Sequence, residues 1–220
     1  MFGLIIALVL SYLIGSIPFG FIIARYYGGI DIREHGSMNI GATNVTRVLG
    51  KGPGNLTLIL DVLKGFFAVM VLPFLFYNVG SDTSYKLFKI LCAAAVICGH
   101  TWTIFLKFKG GKGVATGAGA FLGVAPLPLL CSAVVWFISA KISRYVSLSS
   151  ILAASAFVVF AFIFGEPKEI LIFCVLIWVV IVVRHRSNIK RLIECTENKI
   201  GEGGETKDEE NPPNPPPMIS

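Results

Sequence analysis

The sequence predicts an all-α polytopic membrane protein of about seven transmembrane helices, two of them short and split near Pro126–Pro128. Three observations carry that prediction. The chain of 220 residues is 55% hydrophobic and only 15% charged, with a mean hydropathy of +0.75. A water-soluble domain of this length could not hide so much apolar surface, so a bilayer is its natural solvent. Apolar runs recur at about the 20-residue length that a spanning helix needs, and the basic residues cluster between those runs.

The first run, Phe2–Ala24, carries no charge before Arg25. It lacks the basic start and small-residue cleavage site of a secretion signal, so it reads as a retained span. Leu56–Tyr77, Leu87–Leu106, Leu148–Phe164 and Ile170–Val183 are the clearest other spans. The stretch 113–140 is 28 uncharged residues with Pro126 and Pro128 near its middle. As one helix it would leave Lys141, Arg144 and the cluster Arg184, Arg186, Lys190, Arg191 and Lys199 on the outer side. That arrangement opposes the preference of lysine and arginine for the cytoplasm. Broken at the prolines, it gives seven helices, with every basic cluster inside and the N-terminus outside. Each half then has about 13 residues and reaches only ~20 Å by helical rise.

Residues 1–200 form the membrane unit. The tail 201–220 holds five acids against one base and the run "NPPNPPP". Prolines without an N–H and few apolar groups predict no fixed structure there. The five cysteines, at 92, 98, 131, 174 and 195, lack metal-ligand spacing. They read as small apolar packers, and neither a metal nor another cofactor is expected.

Three polar stretches share the cytoplasmic face in this topology. In "HGSMNIGATNVTR", residues 35–47, the polar groups Ser37, Asn39, Thr43, Asn44 and Arg47 surround small Gly41 and Ala42. Hydroxyl, amide and backbone donors beside a guanidinium suit an oxyanion. The stretch "GHTWTIFLKFKGGKGVATG", residues 99–117, superficially resembles a nucleotide-binding loop. A P-loop requires G-x-x-x-x-G-K-[ST] after a strand. Here Leu106 stands at the first glycine, Gly113 follows Lys112, and a membrane helix precedes. The anion chemistry survives, with backbone amides around Gly110, Gly111 and Gly113, a helix start, and the charge of Lys112. In "RHRSNIKRLIE", residues 184–194, His185 and Asn188 share one face of a helix. The pair Asp61 and Lys64 in the second span reads as structural support, because ionisable groups in a membrane helix need a partner.

In combination, "GSIPFG" at 15–20, "SMNIGATNVTR" at 37–47, "LDVLKG" at 60–65, "GHTWTIFLKFKGGKGVAT" at 99–116 and "HRSNIKRL" at 185–192 resemble the motifs of the bacterial acyl-phosphate-dependent glycerol-3-phosphate acyltransferases, the PlsY family. The resemblance runs in order through residues 1–200. It departs from the "RLxxGxE" pattern at Cys195, which stands at the glycine, while Glu197 is kept. It implies a multi-pass enzyme of the bacterial cytoplasmic (inner) membrane with its active-site loops and C-terminus in the cytoplasm. Its substrates would be acyl phosphate and glycerol 3-phosphate, and its products lysophosphatidic acid and phosphate, in phospholipid biosynthesis. Membrane lipid is an expected partner and nucleic acid is not. The implied catalytic groups are Arg47, Lys112, His185 and Asn188. The implied substrate-binding groups are Ser37, Asn39, Gly41, Thr43, Asn44, His100, Gly110, Gly111 and Gly113. The resemblance favours the donor's own phosphate over His185 as the base. No "HxxxxD" acyltransferase pair exists: Ile40, Phe105 and Lys190 follow the three histidines at that spacing. A transporter for an organic anion fits less well, with no charge at mid-membrane in the broken segment and no clear repeat across two halves. The third reading is a non-catalytic membrane scaffold, whose loops would be turns only.

Overall fold

The computed structural model describes residues 2–78 and 83–201, and every regular element among them is a helix. The acidic, proline-rich segment expected to lack fixed structure lies, from residue 202 on, outside the described residues. The helices are α1 (Phe2–Ser16), α2 (Phe19–Gly28), α3 (Ala42–Leu49), α4 (Lys51–Phe76), α5 (Tyr85–Thr101), α6 (Val114–Val124), α7 (Pro126–Ser143), α8 (Val146–Ile163), α9 (Lys168–Arg184) and α10 (Arg186–Ile193). Phe2–Gly28, Lys51–Phe76, Tyr85–Leu106, Pro126–Ser143 and Val146–Ile163 are long and apolar enough to cross a membrane. The bent pair α9–α10, with 57° between the helices, makes a sixth candidate, and α6 is a shorter apolar helix.

The stretch 113–140 is broken as expected, but its halves are unequal. The break falls at Ala125, with φ −145° and ψ 75°. Pro126 then opens α7, where a missing N–H leaves no helical bond unmade. The 11 residues of α6 reach only ~16 Å, whereas the 18 of α7 reach ~27 Å. The chain crosses and returns between 112 and 147, because Lys112 and Ser147 meet through the same two side chains, Asn188 and Glu197. Arg144 and Ile200 bond at that end as well. The loops after α2, α5, α7 and α9 therefore gather at one end of the bundle.

Inside the bundle, Gly65 of α4 and Gly119 of α6 allow two backbones to touch. A Cβ on either would overlap the carbonyl oxygen of Thr116 or Val62, respectively. Close backbone approach through small residues replaces the hydrophobic drive that lipid removes. Phe121 of α6 lies 4.3 Å from Phe157 of α8 and 5.2 Å from Phe173 of α9, ring centre to ring centre, tying three helices together. Leu127, Leu130, Val134, Phe137 and Ile138 of α7 point outward, as a lipid-facing helix requires.

The pair Asp61 and Lys64 explains itself at the joint between α1 and α2. Pro18 supplies no N–H and cannot continue α1, which frees carbonyls next to the break. Lys64 Nζ donates to Ile17 O at 2.9 Å and Thr103 Oγ1 to Ser16 O at 2.6 Å. Asp61 Oδ1 lies 2.7 Å from Lys64 Nζ and 3.6 Å from His100 Nδ1. The ammonium thus closes a broken backbone, and the carboxylate neutralises the ammonium.

At the far end of the chain, α10 ends in a Schellman turn. Thr196 N–H donates to Arg191 O at 2.8 Å and Cys195 N–H to Leu192 O at 3.3 Å. Cys195, at the position where glycine is usual, adopts φ 56°. The departure from the family pattern therefore keeps the turn and adds strain.

Two stability outcomes follow. Lys64→Met, which strands Asp61 in the interior, costs about 3–5 kcal/mol. The double variant Asp61→Asn/Lys64→Met costs less than Lys64→Met alone. Thermal unfolding in detergent checks both; equal losses would mean that the ion pair is not the cause. Cys195→Gly, which removes the left-handed penalty, raises the same transition by the equivalent of about 1 kcal/mol.

Candidate active site

The site is built where the ends of α5 and α9, the starts of α6 and α10, and the loop before α3 converge. A cavity of about 460 Å³ there is lined by Ser37, Asn39, Lys112, Arg184, Arg191 and Asn188, with Trp102, Val183, Arg186 and Ser187 at its walls. A second cavity, of about 410 Å³, lies on the other side of Arg184 against Asp31, Arg33, Lys109 and Phe108.

Lys112 is fixed by a chain of three side chains. Its Nζ donates to Asn188 Oδ1 at 2.6 Å, and Asn188 Nδ2 donates to Glu197 Oε1 at 2.6 Å. The neighbours dictate the amide's orientation, since an ammonium needs the oxygen and a carboxylate needs the NH2. Glu197 also accepts from Ser147 Oγ at 2.7 Å and, on Oε2, from Arg191 Nε at 2.7 Å. Burial pushes the Glu197 carboxyl up, but the donors Asn188, Ser147 and Arg191 outweigh it and hold the group below its ordinary range. Burial pushes Lys112 down to about 8, with Arg191, Arg47 and Arg184 adding to the shift and Glu197 opposing it. Burial is also the largest cause lowering Arg47 from its ordinary value. The Arg47 guanidinium is half-buried on α3, within electrostatic reach of Lys112 and Glu197.

His185 sits at the α9–α10 bend. Its Nδ1 lies 2.8 Å from Ile181 O. A carbonyl can only accept, so Nδ1 carries the proton and Nε2 keeps its lone pair. Burial, then the charge of Lys112, pushes this imidazole down to about 4, which leaves it neutral at physiological pH. The ring is buried and does not line the cavity in this arrangement.

The loop before α3 divides its predicted residues between surface and scaffold. Ser37 and Asn39 line the cavity. Asn44, expected to bind substrate, is consumed within the loop: Oδ1 accepts from Ser37 N–H at 2.8 Å, and Nδ2 donates to the carbonyls of Ile32, His35 and Asn39. A buried amide tied to four backbone groups organises the loop. Asn39 Oδ1 accepts from Gly41 N–H at 2.9 Å just before α3, and Thr43 is exposed on that helix.

The glycine loop also differs from expectation in its details. The N–H groups of Gly110 and Gly111 donate to the carbonyls of Thr101 and His100 and are therefore directed at α5 rather than at an anion. The amides left for an anion are those of Lys112, Gly113 (φ 84°) and the first turn of α6. His100, expected among the binding groups, is the floor of this loop: a Cβ on Gly111 would overlap its Nε2. Arg184, Arg186, Ser187 and Arg191 line the cavity without having been singled out in the sequence. Their signal was the basic spacing of "RHRSNIKR", which a lipid-facing role would produce equally.

With five cationic groups and donors from two loops around one carboxylate, the arrangement suits a guest with more than one negative charge. The family model for glycerol-3-phosphate acyltransferase matches residues 5–195. Relatives bearing that name include proteins of Desulforamulus reducens, 49% identical over 87% of this chain and 92% of its own length, and Bacillus subtilis, 42% identical over 88% and 95%. The crystal structure of PlsY (YgiH), an integral membrane glycerol 3-phosphate acyltransferase, is 40% identical. Its glycerol 3-phosphate form superposes with a TM-score of 0.81 over 90% of this chain and 96% of that one, and its lysophosphatidic acid form with 0.79. An integral-membrane helical fold and motifs in register over nearly the whole chain place this protein in the glycerol-3-phosphate acyltransferase family.

Proposed function

We propose that this membrane acyltransferase moves a fatty acyl group from acyl phosphate to the 1-hydroxyl of sn-glycerol 3-phosphate. The observation that carries the reading is the cation-lined cavity around Lys112, lined also by Ser37 and Asn39, at the end of the bundle where the basic loops gather. Both substrates carry phosphate, so their mutual repulsion must be neutralised before the hydroxyl approaches the carbonyl. Lys112, Arg47, Arg191 and the free amides at the start of α6 supply that neutralisation. The acceptor oxygen forms the new ester bond as the bond from the acyl carbon to the phosphate oxygen breaks. The hydroxyl proton leaves on the departing phosphate, a route that needs no strong base from the protein.

The histidine supports this division of labour. An imidazole held near a pKa of 4 is a weak base at neutral pH. With Nδ1 tied to Ile181 O and Nε2 left with its lone pair, His185 orients the acceptor and does not deprotonate it. Asn188 and Glu197 fix Lys112. The gathering of all basic loops at one end supports a bacterial cytoplasmic membrane location with those loops and the C-terminus inside and the N-terminus outside.

The direct test is purified protein in detergent with sn-glycerol 3-phosphate and, in parallel, acyl phosphate, acyl-CoA or acyl-carrier protein, with lysophosphatidic acid measured. Acyl phosphate alone should support turnover; product from acyl-CoA without product from acyl phosphate would overturn the donor assignment. Lys112→Ala should lower kcat/KM by about 100-fold or more, the scale of losing one charged stabiliser, while the protein stays folded. In the free enzyme the required ammonium is present below about 8 and is lost as pH rises through that value. The kcat/KM profile should therefore fall on its alkaline side near pH 8, approaching tenfold per unit. Lys112→Arg should move that limb upward, because a guanidinium stays charged; an unmoved limb would assign the titration elsewhere. His185→Ala should raise KM for glycerol 3-phosphate about tenfold with a smaller effect on kcat, the signature of lost positioning.

A further inference from the structure

We propose that Arg184 is a positioning residue that fixes the peptide planes of the glycine loop, so that the phosphate-bearing substrates meet donors and not carbonyl oxygens. This rests on the acyl-transfer reading for its kinetic consequence and on geometry alone for its structural one.

Arg184 is the last residue of α9. Its Nη2 donates to Gly110 O at 2.8 Å and to Gly111 O at 3.1 Å, while Nε donates to Gly111 O at 3.2 Å. The N–H groups of the same two glycines donate to Thr101 O and His100 O. The Gly110–Gly111 peptide unit is thus held on both sides, its amide by His100 O and its carbonyl by Arg184. The Gly111–Lys112 unit is held through its carbonyl by Arg184, and the Lys109–Gly110 unit through its amide by Thr101 O. Two consecutive glycines would otherwise be the easiest place in the chain to turn a peptide plane, having no Cβ to restrict φ and ψ. One turned plane would aim a carbonyl dipole into the cavity, beside the place where Lys112 draws an anion. The guanidinium bonds the two carbonyls from two nitrogens in one fixed plane, Nη2 to both and Nε to Gly111 O, whereas a lysine ammonium has three donors on one freely rotating nitrogen and cannot fix that plane. Arg184 also lines both cavities, with Gly110 on the smaller one and Lys112 on the larger.

Arg184→Lys and Arg184→Gln test this against the wild type, each purified in detergent. Hydrogen–deuterium exchange of peptides covering 107–114 gives the structural readout, and steady-state kinetics with acyl phosphate and glycerol 3-phosphate the functional one. In both variants, amide exchange within 107–114 should accelerate about tenfold or more while the rest of the bundle is unchanged. KM for a phosphate-bearing substrate should rise by about 10- to 100-fold, the range of one or two lost charge-assisted bonds, with kcat within a few-fold. Lysine preserves the charge, so a Lys variant that behaves as wild type in both readouts would overturn the proposal. So would a kinetic defect with unchanged exchange, which would make Arg184 a direct substrate contact. Global loss of folding in both variants would overturn it too, since a role confined to one loop leaves the bundle standing. The exchange arm is independent of the donor: if wild type failed to use acyl phosphate, that reading would fall while the exchange result still judged Arg184.

Discussion

In a bilayer no water is available to a carbonyl that has lost its helical partner, and most of this structure follows from how one such break is closed. Pro18 interrupts the first span, and the exposed carbonyls of Ser16 and Ile17 are taken by Thr103 and Lys64. A buried ammonium then requires a counter-charge, which Asp61 supplies, and Asp61 in turn faces His100. One proline thus fixes α1, α2, α4 and the end of α5 relative to each other. The end of α5 is where the glycine loop begins, and His100 becomes its floor. The chemistry at the membrane surface is anchored through a defect inside the membrane.

Above that anchor the site solves a problem of repulsion. Arg47, Lys112, Arg184, Arg186 and Arg191 lie close enough to oppose each other before any anion arrives. Among the described residues, Glu197 is the single carboxylate in the Lys112 relay, and it holds Arg191 and, through Asn188, Lys112. It offsets part of the positive charge around Lys112 and leaves an excess that suits a phosphate-bearing guest. The Schellman turn at Cys195 brings Glu197 back to this position; the backbone strain at residue 195 and the electrostatics of Lys112 are therefore parts of one local design.

Much of this was legible in the sequence, and the exceptions share a cause. Charge placement alone required that 113–140 cross twice, and the structure brings Lys112, Arg144 and Asn188 to one end. The inequality of α6 and α7 was not legible, because Pro126 serves as a helix start and not as the centre of a kink. The guess that Asp61 and Lys64 were structural holds, although nothing in the sequence says that their partner is a carbonyl 47 residues away. Asn44, His100 and the amides of Gly110 and Gly111 have the residue types of an anion site but serve the loop's own architecture. A side chain's hydrogen-bonding capacity is the same whether it is spent on substrate or backbone, and only tertiary distance decides. Arg184 was hidden for the converse reason, since in the sequence it counts only as one of a cluster of basic residues that fixes topology.

The amide at residue 188 has an implication for what this site can be rebuilt into. Between an ammonium and a carboxylate separated by two short bonds, the connecting group must be two-faced: acceptor on one side, donor on the other, and uncharged at every pH. A carboxyl group there would compete with Glu197 for a proton and couple the site to acidity. A hydroxyl could reach only one neighbour well, and the longer amide of glutamine would overrun the gap. Asparagine transmits the pull of a distant anion to Lys112 without adding a titration of its own. Its neutrality leaves the lysine and the carboxylate as the titrating groups of this relay.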